Sequence, residues 1–259
     1  TCCQDCVFYG GNPHGMLLSA CHFPTGREDL SEMLASSKPL LIFDFDGTLA
    51  NTLETGIGIF NELAESYNLN AVTAEEASEL RKLNTRALLD HLGISRLMAV
   101  KLGAHIRKIL HERMEDVELF HGIREAVLEL HASGFKIGIL SSNSSDNVRT
   151  FLNRCDLLSC FSFIEAGVSL FGKPQRILNV IKKEKADPSC VMYVGDETRD
   201  MEAARKSKVS GVAVCWGVNE REAMETEGPA YCIDEPSELI RVAHEFAASY
   251  SAIIPRPSA

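Results

Sequence analysis

Two aspartates two positions apart, Asp44 and Asp46, follow directly on the apolar run at 40–43 and precede Gly47-Thr48-Leu49. A carboxylate placed there can act as a nucleophile, as in enzymes that pass through an aspartyl-phosphate. A second carboxylate nearby can protonate a leaving group and later take a proton from water. Asp and Gly are also ordinary turn residues, but two acids pressed against a buried run make a plain turn the weaker reading. Three later segments carry complementary groups. Ser141 opens a Ser-rich loop at 141–145; its hydroxyl and amides suit an anion near a helix start, or simply form a loop. Lys173, between Gly172 and Pro174, stands at a helix start, where the macrodipole disfavours an ammonium and a bound anion would offset it. Asp196 and Asp200 lie four apart across a strand end and a first helical turn. Such a pair can hold Mg²⁺, which seeks oxygen ligands, or can cap the helix it precedes.

The elements that must position these groups follow from the hydrophobic pattern. After Pro39, the run Leu40-Leu41-Ile42-Phe43 reads as a strand buried on both faces, the kind found in parallel sheets. That puts Asp44 at a strand's carboxyl end, where open α/β sheets place their ligand crevice, and Gly47 lets the chain turn away. From Gly122 onward the pattern alternates. Helices are expected at 123–132, 147–155, 172–183 and 236–248, with another after 195–200 running to about 207, and strands at 135–140, 161–165, 190–194, 212–215 and 231–233. This predicts an α/β fold with a parallel sheet and helices on both faces. Residues 52–118 differ, being almost wholly helical in pattern. Leu53, Ile57, Phe60, Leu63, Ala64 and Tyr67 share one face; Thr73 with Glu76 spells a capping box; 84–92 and 94–114 flank Gly93. The block is too large for a strand-to-helix crossover and is expected to be an inserted α-helical cap subdomain. The organisation expected is an extension at 1–37, a core at 38–51 and 119–249, a cap at 52–118 and a tail at 250–259.

Composition narrows the function classes. The 259 residues are 45% hydrophobic and 24% charged, with a formal net charge of −10. That charge argues against nucleic acid as a partner, and an anionic phosphate ligand would call for a bound cation. No run of eighteen apolar residues suggests a membrane helix. Of nine cysteines, Cys155, Cys160, Cys190, Cys215 and Cys232 lie in apolar company and read as reduced core residues of a cytoplasmic protein. Cys2, Cys3, Cys6 and Cys21, with His14 and His22, could hold zinc, but their spacing fits no paired-ligand pattern, and an irregular extension is the plainer reading. A short helix is expected at 29–35. The segment 1–37 lacks the features of a secretory signal; a remnant of an organellar presequence is an alternative.

Taken together, an acid pair, a hydroxyl, a lysine and a second acid pair, each after a buried strand and in this order, resemble the haloacid dehalogenase-like hydrolase superfamily. Its signature is four motifs on a Rossmann-like sheet. Asp44-Phe45-Asp46-Gly47-Thr48-Leu49 is similar to the first motif, Ser141 to the second, Lys173 in Gly-Lys-Pro to the third, and Gly195-Asp196 through Asp200 to the fourth. The resemblance implies Asp44 as nucleophile and Asp46 as general acid, then base. Ser141 and Lys173 would hold the phosphoryl oxygens, with Gly47, Thr48, Ser142 and Asn143 also at the phosphate. Asp44, Asp46 (through its carbonyl), Asp196 and Asp200 would bind Mg²⁺. An acid at position 46 is similar to the phosphate-handling members rather than the dehalogenases and phosphonatases. The helical block resembles the cap of members such as phosphoglycolate phosphatases, with Asn51 standing where those often have Asp. Among basic cap residues, Arg81, Lys82 and Arg86 are candidates for a substrate carboxylate, with Arg86 placed in the site and solvated helix charges as the alternative. The implied function is a Mg²⁺-dependent phosphomonoesterase acting on a small phosphate ester, phosphoglycolate-like or a sugar phosphate, as a monomer or homodimer. A phosphomutase of the same fold and a non-catalytic binding protein are the other readings.

Overall fold

The computed structural model describes residues 39–167 and 172–253. The Cys/His cluster and the helix expected at 29–35 lie outside the described residues. Six parallel strands form one sheet in the order β3-β2-β1-β4-β5-β6. They are β1 (Leu40–Phe43), β2 (Lys136–Leu140), β3 (Phe163–Glu165), β4 (Val191–Gly195), β5 (Ser210–Val214) and β6 (Tyr231–Ile233). The chain runs outward from β1 through β2 to β3, then crosses back to β4 and continues to β6. The order therefore reverses beside β1, and a crevice opens there at the carboxyl ends.

Alternation along β1 explains both faces. Leu41 and Phe43 pack with Val127, Phe151 and Phe246, residues of the helices α5 (Ile123–Ala132), α6 (Ser145–Arg154) and α10 (Glu238–Ile253). Leu40 and Ile42 pack on the opposite face with Ile177, Ile181 and Ala204, from α7 (Lys173–Glu184) and α8 (Thr198–Ser207). Every residue of β1 is buried, so each large side chain adds roughly 1.5–3 kcal/mol to stability. A short helix, α9 (Arg221–Glu225), links β5 to β6.

The stretch expected to be helical holds α1 (Leu53–Ala64), α2 (Ala74–Leu80), α3 (Thr85–His91) and α4 (Arg96–Glu112). Thr73, Asn84 and Ser95 start α2, α3 and α4, their side chains accepting from the amides of Glu76 (3.2 Å), Ala87 (2.9 Å) and Met98 (3.2 Å). The capping box at Thr73 is half made, because the Glu76 carboxylate pairs with His91 instead, at 3.1 Å. Arg113 grips Glu62 with two bonds, of 2.8 and 2.7 Å, and so fastens the end of α4 to α1.

The two chain segments entering and leaving this block lie side by side. Ala50 pairs antiparallel with Leu119, and the Asn51 amide donates to the Glu118 carbonyl at 2.8 Å. On the far side, the block rests on the loop after β5. Arg81 Nε donates to the Val218 carbonyl at 3.3 Å, and Asn219 Nδ2 donates to the carbonyls of Arg81 (3.0 Å) and Leu83 (2.7 Å). Among the described residues, no helix is long and apolar enough to cross a membrane. Cys160 and Cys190 are buried as expected. Cys155, Cys215 and Cys232 are only half-buried, because the last two stand at the sheet edge beyond β5 and within β6.

Candidate active site

Register brings the chemistry together. Phe43 stands level with Ile139 of β2 and Val194 of β4, so Asp44, Ser141 and Asp196 leave three neighbouring strands at nearly the same height. The Asp44 amide donates to the Val194 carbonyl at 2.8 Å, which extends the ladder one residue beyond β1 and fixes the carboxylate over the crevice. Its Oδ1 accepts from the Phe45 amide at 2.8 Å. Its Oδ2 accepts from Lys173 Nζ, which also donates to Asp200 Oδ1. The anions that justify an ammonium at the start of α7 are thus two aspartates of this chain.

Asp44, Asp196 and Asp200 each offer an oxygen within 4.8 Å of the others, and all three are buried. Three hard oxygen donors are the set a divalent cation of the Mg²⁺ or Ca²⁺ type takes. The electrostatics agree. Burial pushes the Asp44 carboxyl up to about 7 in spite of Lys173. Burial, followed by Glu197, Asp200 and Asp44, drives Asp196 well above the carboxylate range. Burial works against the Lys173 charge, but Asp200 and Asp44 outweigh it and hold the ammonium protonated. One ammonium leaves the cluster short of positive charge, which a divalent ion held by these three acids would supply.

The remaining groups serve this centre in ways the sequence only partly forecasts. The Asp46 carboxylate stands apart from the three-acid cluster, accepting from Asn143 Nδ2 at 3.0 and 3.1 Å. Burial raises its pKa, with the bonds from Asn143 and Thr52 acting the other way; that suits a proton donor. Asn143 is held in turn by Asn147 Nδ2 (2.8 Å), and Asn147 also touches His111 of α4. Ser141 is fully buried and accepts from the Asn143 amide at 2.9 Å, leaving its hydroxyl proton to donate.

Several expected phosphate contacts are placed elsewhere. The Gly47 amide donates to the Ala50 carbonyl at 2.9 Å, and the Thr48 hydroxyl donates to Asp196 Oδ1 at 2.8 Å. Both donors are therefore committed to shaping the turn and orienting Asp196. Gly47 has φ +75°, and a β-carbon there would collide with the Asp196 carboxylate. Asp196 Oδ2 accepts from the Val218 amide at 2.8 Å, so the loop carrying the helical block also anchors this acid. Ser142 lines a second cavity beside His111 and Asn147, with Arg107 also in its wall. Arg86, expected at the substrate, has a side chain 88% exposed and 4.0 Å from Asp90; it lines a cleft whose opposite wall holds Lys173 and Arg199. Lys82 pairs with Glu79, and Arg81 is spent on the loop after β5.

Two guanidiniums that the motifs did not single out face the site. Arg199, between the two acids of the fourth segment, binds Glu197, yet its buried Nε has no hydrogen-bond partner. Arg107 of α4 lines, with Asp46 and Arg199, a chamber of about 380 Å³ between sheet and helical block. The available signal was positional. Gly103, Ile106, Arg107 and Leu110 share the inward face of α4, so Arg107 is a charge within an apolar helical stripe.

Comparison with known proteins agrees with this geometry. The family model for haloacid dehalogenase-like hydrolases matches residues 41–214. A phosphoglycolate phosphatase from Synechococcus elongatus is 34% identical over 201 residues, covering 78% of this chain and 95% of that protein. The pyrophosphatase PpaX of Bacillus mycoides is 27% identical over 78% of this chain and 95% of its own length. A haloacid dehalogenase-like family hydrolase of Streptococcus pneumoniae shares the fold, with a TM-score of 0.64 at 19% identity over 80% of this chain and 99% of that one. With the profile spanning most of the sheet and all four motif segments, the chain belongs to the haloacid dehalogenase-like hydrolase family.

Proposed function

We propose that this phosphatase is a Mg²⁺-dependent phosphomonoesterase that hydrolyses a small phosphorylated metabolite, phosphoglycolate-like or a sugar phosphate, through an aspartyl-phosphate on Asp44. The observation that carries the reading is the Asp44 carboxylate, fixed at the sheet's switch point between Lys173 and a buried acid cluster. In the first step an Asp44 oxygen bonds to phosphorus as the ester P–O bond breaks, and Asp46 gives its proton to the departing oxygen. In the second, Asp46 takes a proton from water, whose oxygen attacks phosphorus; the bond to Asp44 breaks and inorganic phosphate leaves. Lys173 and Ser141 hold the phosphoryl oxygens throughout. Asp44, Asp196 and Asp200 would hold Mg²⁺, with the Asp46 main-chain carbonyl added by the family resemblance. When bound, the ion draws charge from the phosphoryl oxygens. Residues 52–118 act as the cap, closing on the core at 38–51 and 119–249 to exclude water and select the leaving group.

The test is phosphate release from a panel of phosphate esters with Mg²⁺ and with EDTA. Turnover that requires metal is the expected result; metal-independent turnover or none at all across the panel would overturn it. A second measurement separates the metal from the chemistry. Burial pushes the Asp44 carboxyl up to about 7, against an ordinary value of 3.8. The folded state holds that proton more tightly than the unfolded chain, so this group stabilises the fold below about pH 4 and the gain fades as pH rises through 7. Mg²⁺ has to displace the proton. Its effect on Tm is therefore expected to grow from about pH 5 to pH 8. An equal Tm shift at both pH values would place the ion elsewhere.

A further inference from the structure

Arg107 stands out in the chamber above Asp46. It projects from the inward face of α4, one turn before the buried Leu110. Half-buried, it has no hydrogen-bond or ion-pair partner among the described residues. Burial lowers its pKa, Asp46 favours the cation and Arg199 opposes it, and Asp46 is already bonded to Asn143. Across the same chamber, Arg199 leaves its buried Nε unpaired. Most of the remaining wall is apolar, with Leu53, Ile57, Phe60 and Leu88 among its residues. A guanidinium among such groups, its donors unused, is the arrangement that recognises an anion.

The phosphoryl group already has its partners in Lys173 and Ser141 on the sheet side. The anion facing Arg107 is therefore on the other half of the ester. We infer that Arg107 selects the leaving group, reading a carboxylate on the alcohol portion, so that the preferred substrate is the phosphate ester of a small hydroxy acid. This rests on the phosphatase reading above and deepens it. The chamber of about 380 Å³ suits a compact group, and the apolar wall keeps water from weakening the ion pair. A neutral alcohol in the same place leaves Arg107 desolvated and unpaired, which is where discrimination arises.

The test compares phosphoglycolate with 2-hydroxyethyl phosphate, which differs only in carrying a hydroxymethyl group where the acid has its carboxylate. Both are assayed with Mg²⁺ on the wild type, Arg107→Gln and Arg107→Lys, with thermal melting to show that each variant is folded. In Arg107→Gln the KM for phosphoglycolate is expected to rise on the order of 30-fold, the weight of one charge-assisted hydrogen bond. Its kcat should change little, the preference for the acidic over the neutral ester should collapse, and Lys should restore part of it. An equal fall on both esters assigns Arg107 to the phosphoryl group or to the helix and overturns the inference. So does an unchanged preference in a folded variant, or a wild type that favours the neutral ester. A wild type that hydrolyses neither ester nor any other phosphate ester refutes the phosphatase reading itself, a result distinct from all of these.

Discussion

Asp44→Asn is expected to lower phosphate release by about four orders of magnitude or more while leaving the protein folded. The amide cannot form the acyl phosphate, so what remains is whatever positioning alone achieves. Stability has little reason to fall. Asn offers an oxygen to the Phe45 amide as Asp44 does, and Lys173 keeps Asp200 as a partner. The change also removes a buried carboxylate whose pKa is held up near 7, relieving charge crowding. Turnover and Tm measured on the same preparation decide the matter. Activity within tenfold of wild type would mean that another group or a water molecule attacks phosphorus.

Lys173→Met should do damage of two kinds. Its ammonium, only 2% exposed, is the shared partner of Asp44 and Asp200. Removing it leaves three buried carboxylates facing one another. Breaking a buried pair in this way costs about 3–5 kcal/mol, a fall in Tm on the order of 10 °C for a chain of this size. The loss should be largest in EDTA at about pH 8. It shrinks at about pH 5, where the carboxylates take up protons and cease to repel, and Mg²⁺ should restore part of it at either pH. Activity is expected to fall at least a thousandfold, since the ammonium also meets the phosphoryl oxygens. Equal Tm values for variant and wild type in EDTA at about pH 8 would show that the cluster does not depend on this charge.

How much of this was legible beforehand depended on whether a residue announces its surroundings. Leu40 to Phe43 did, because four apolar residues in succession fit only a strand covered on both sides, and that placed Asp44 correctly. Lys173 did too, since its position at a helix start demanded an anion, although the anions proved to be Asp44 and Asp200. The helix ahead of Asn147 begins two residues earlier than expected because Ser144 caps it, accepting from the Asn147 amide at 3.2 Å. The family resemblance put Thr48 and Gly47 at the phosphate, but only three-dimensional proximity shows their donors turned to Asp196 and Ala50. The helical block was least legible. Arg86 and Arg107 both lie on helices with several charges, and sequence spacing relates each to its own helix and not to the sheet. Arg107 differs by sharing a face with Ile106 and Leu110, a signal that matters only once that face is known to look inward. Asn143 shows the same limit, as its neighbours in the chain give no hint that its carboxamide grips Asp46.

The paired linkers at Ala50 and Leu119 carry a consequence for how such proteins change. Because the helical insert leaves and rejoins the core at adjacent, hydrogen-bonded positions, the sheet's own connectivity passes beneath it almost uninterrupted. A short turn from Asn51 to Glu118 would close the gap without moving a strand, which is the condition under which insertions are gained, lost and exchanged. The nucleophile, the lysine and the acid cluster all come from the uninterrupted part, whereas Arg107 comes from the insert. Hydrolytic chemistry and substrate preference are thereby separately heritable, and one lineage can keep the first while trading the second.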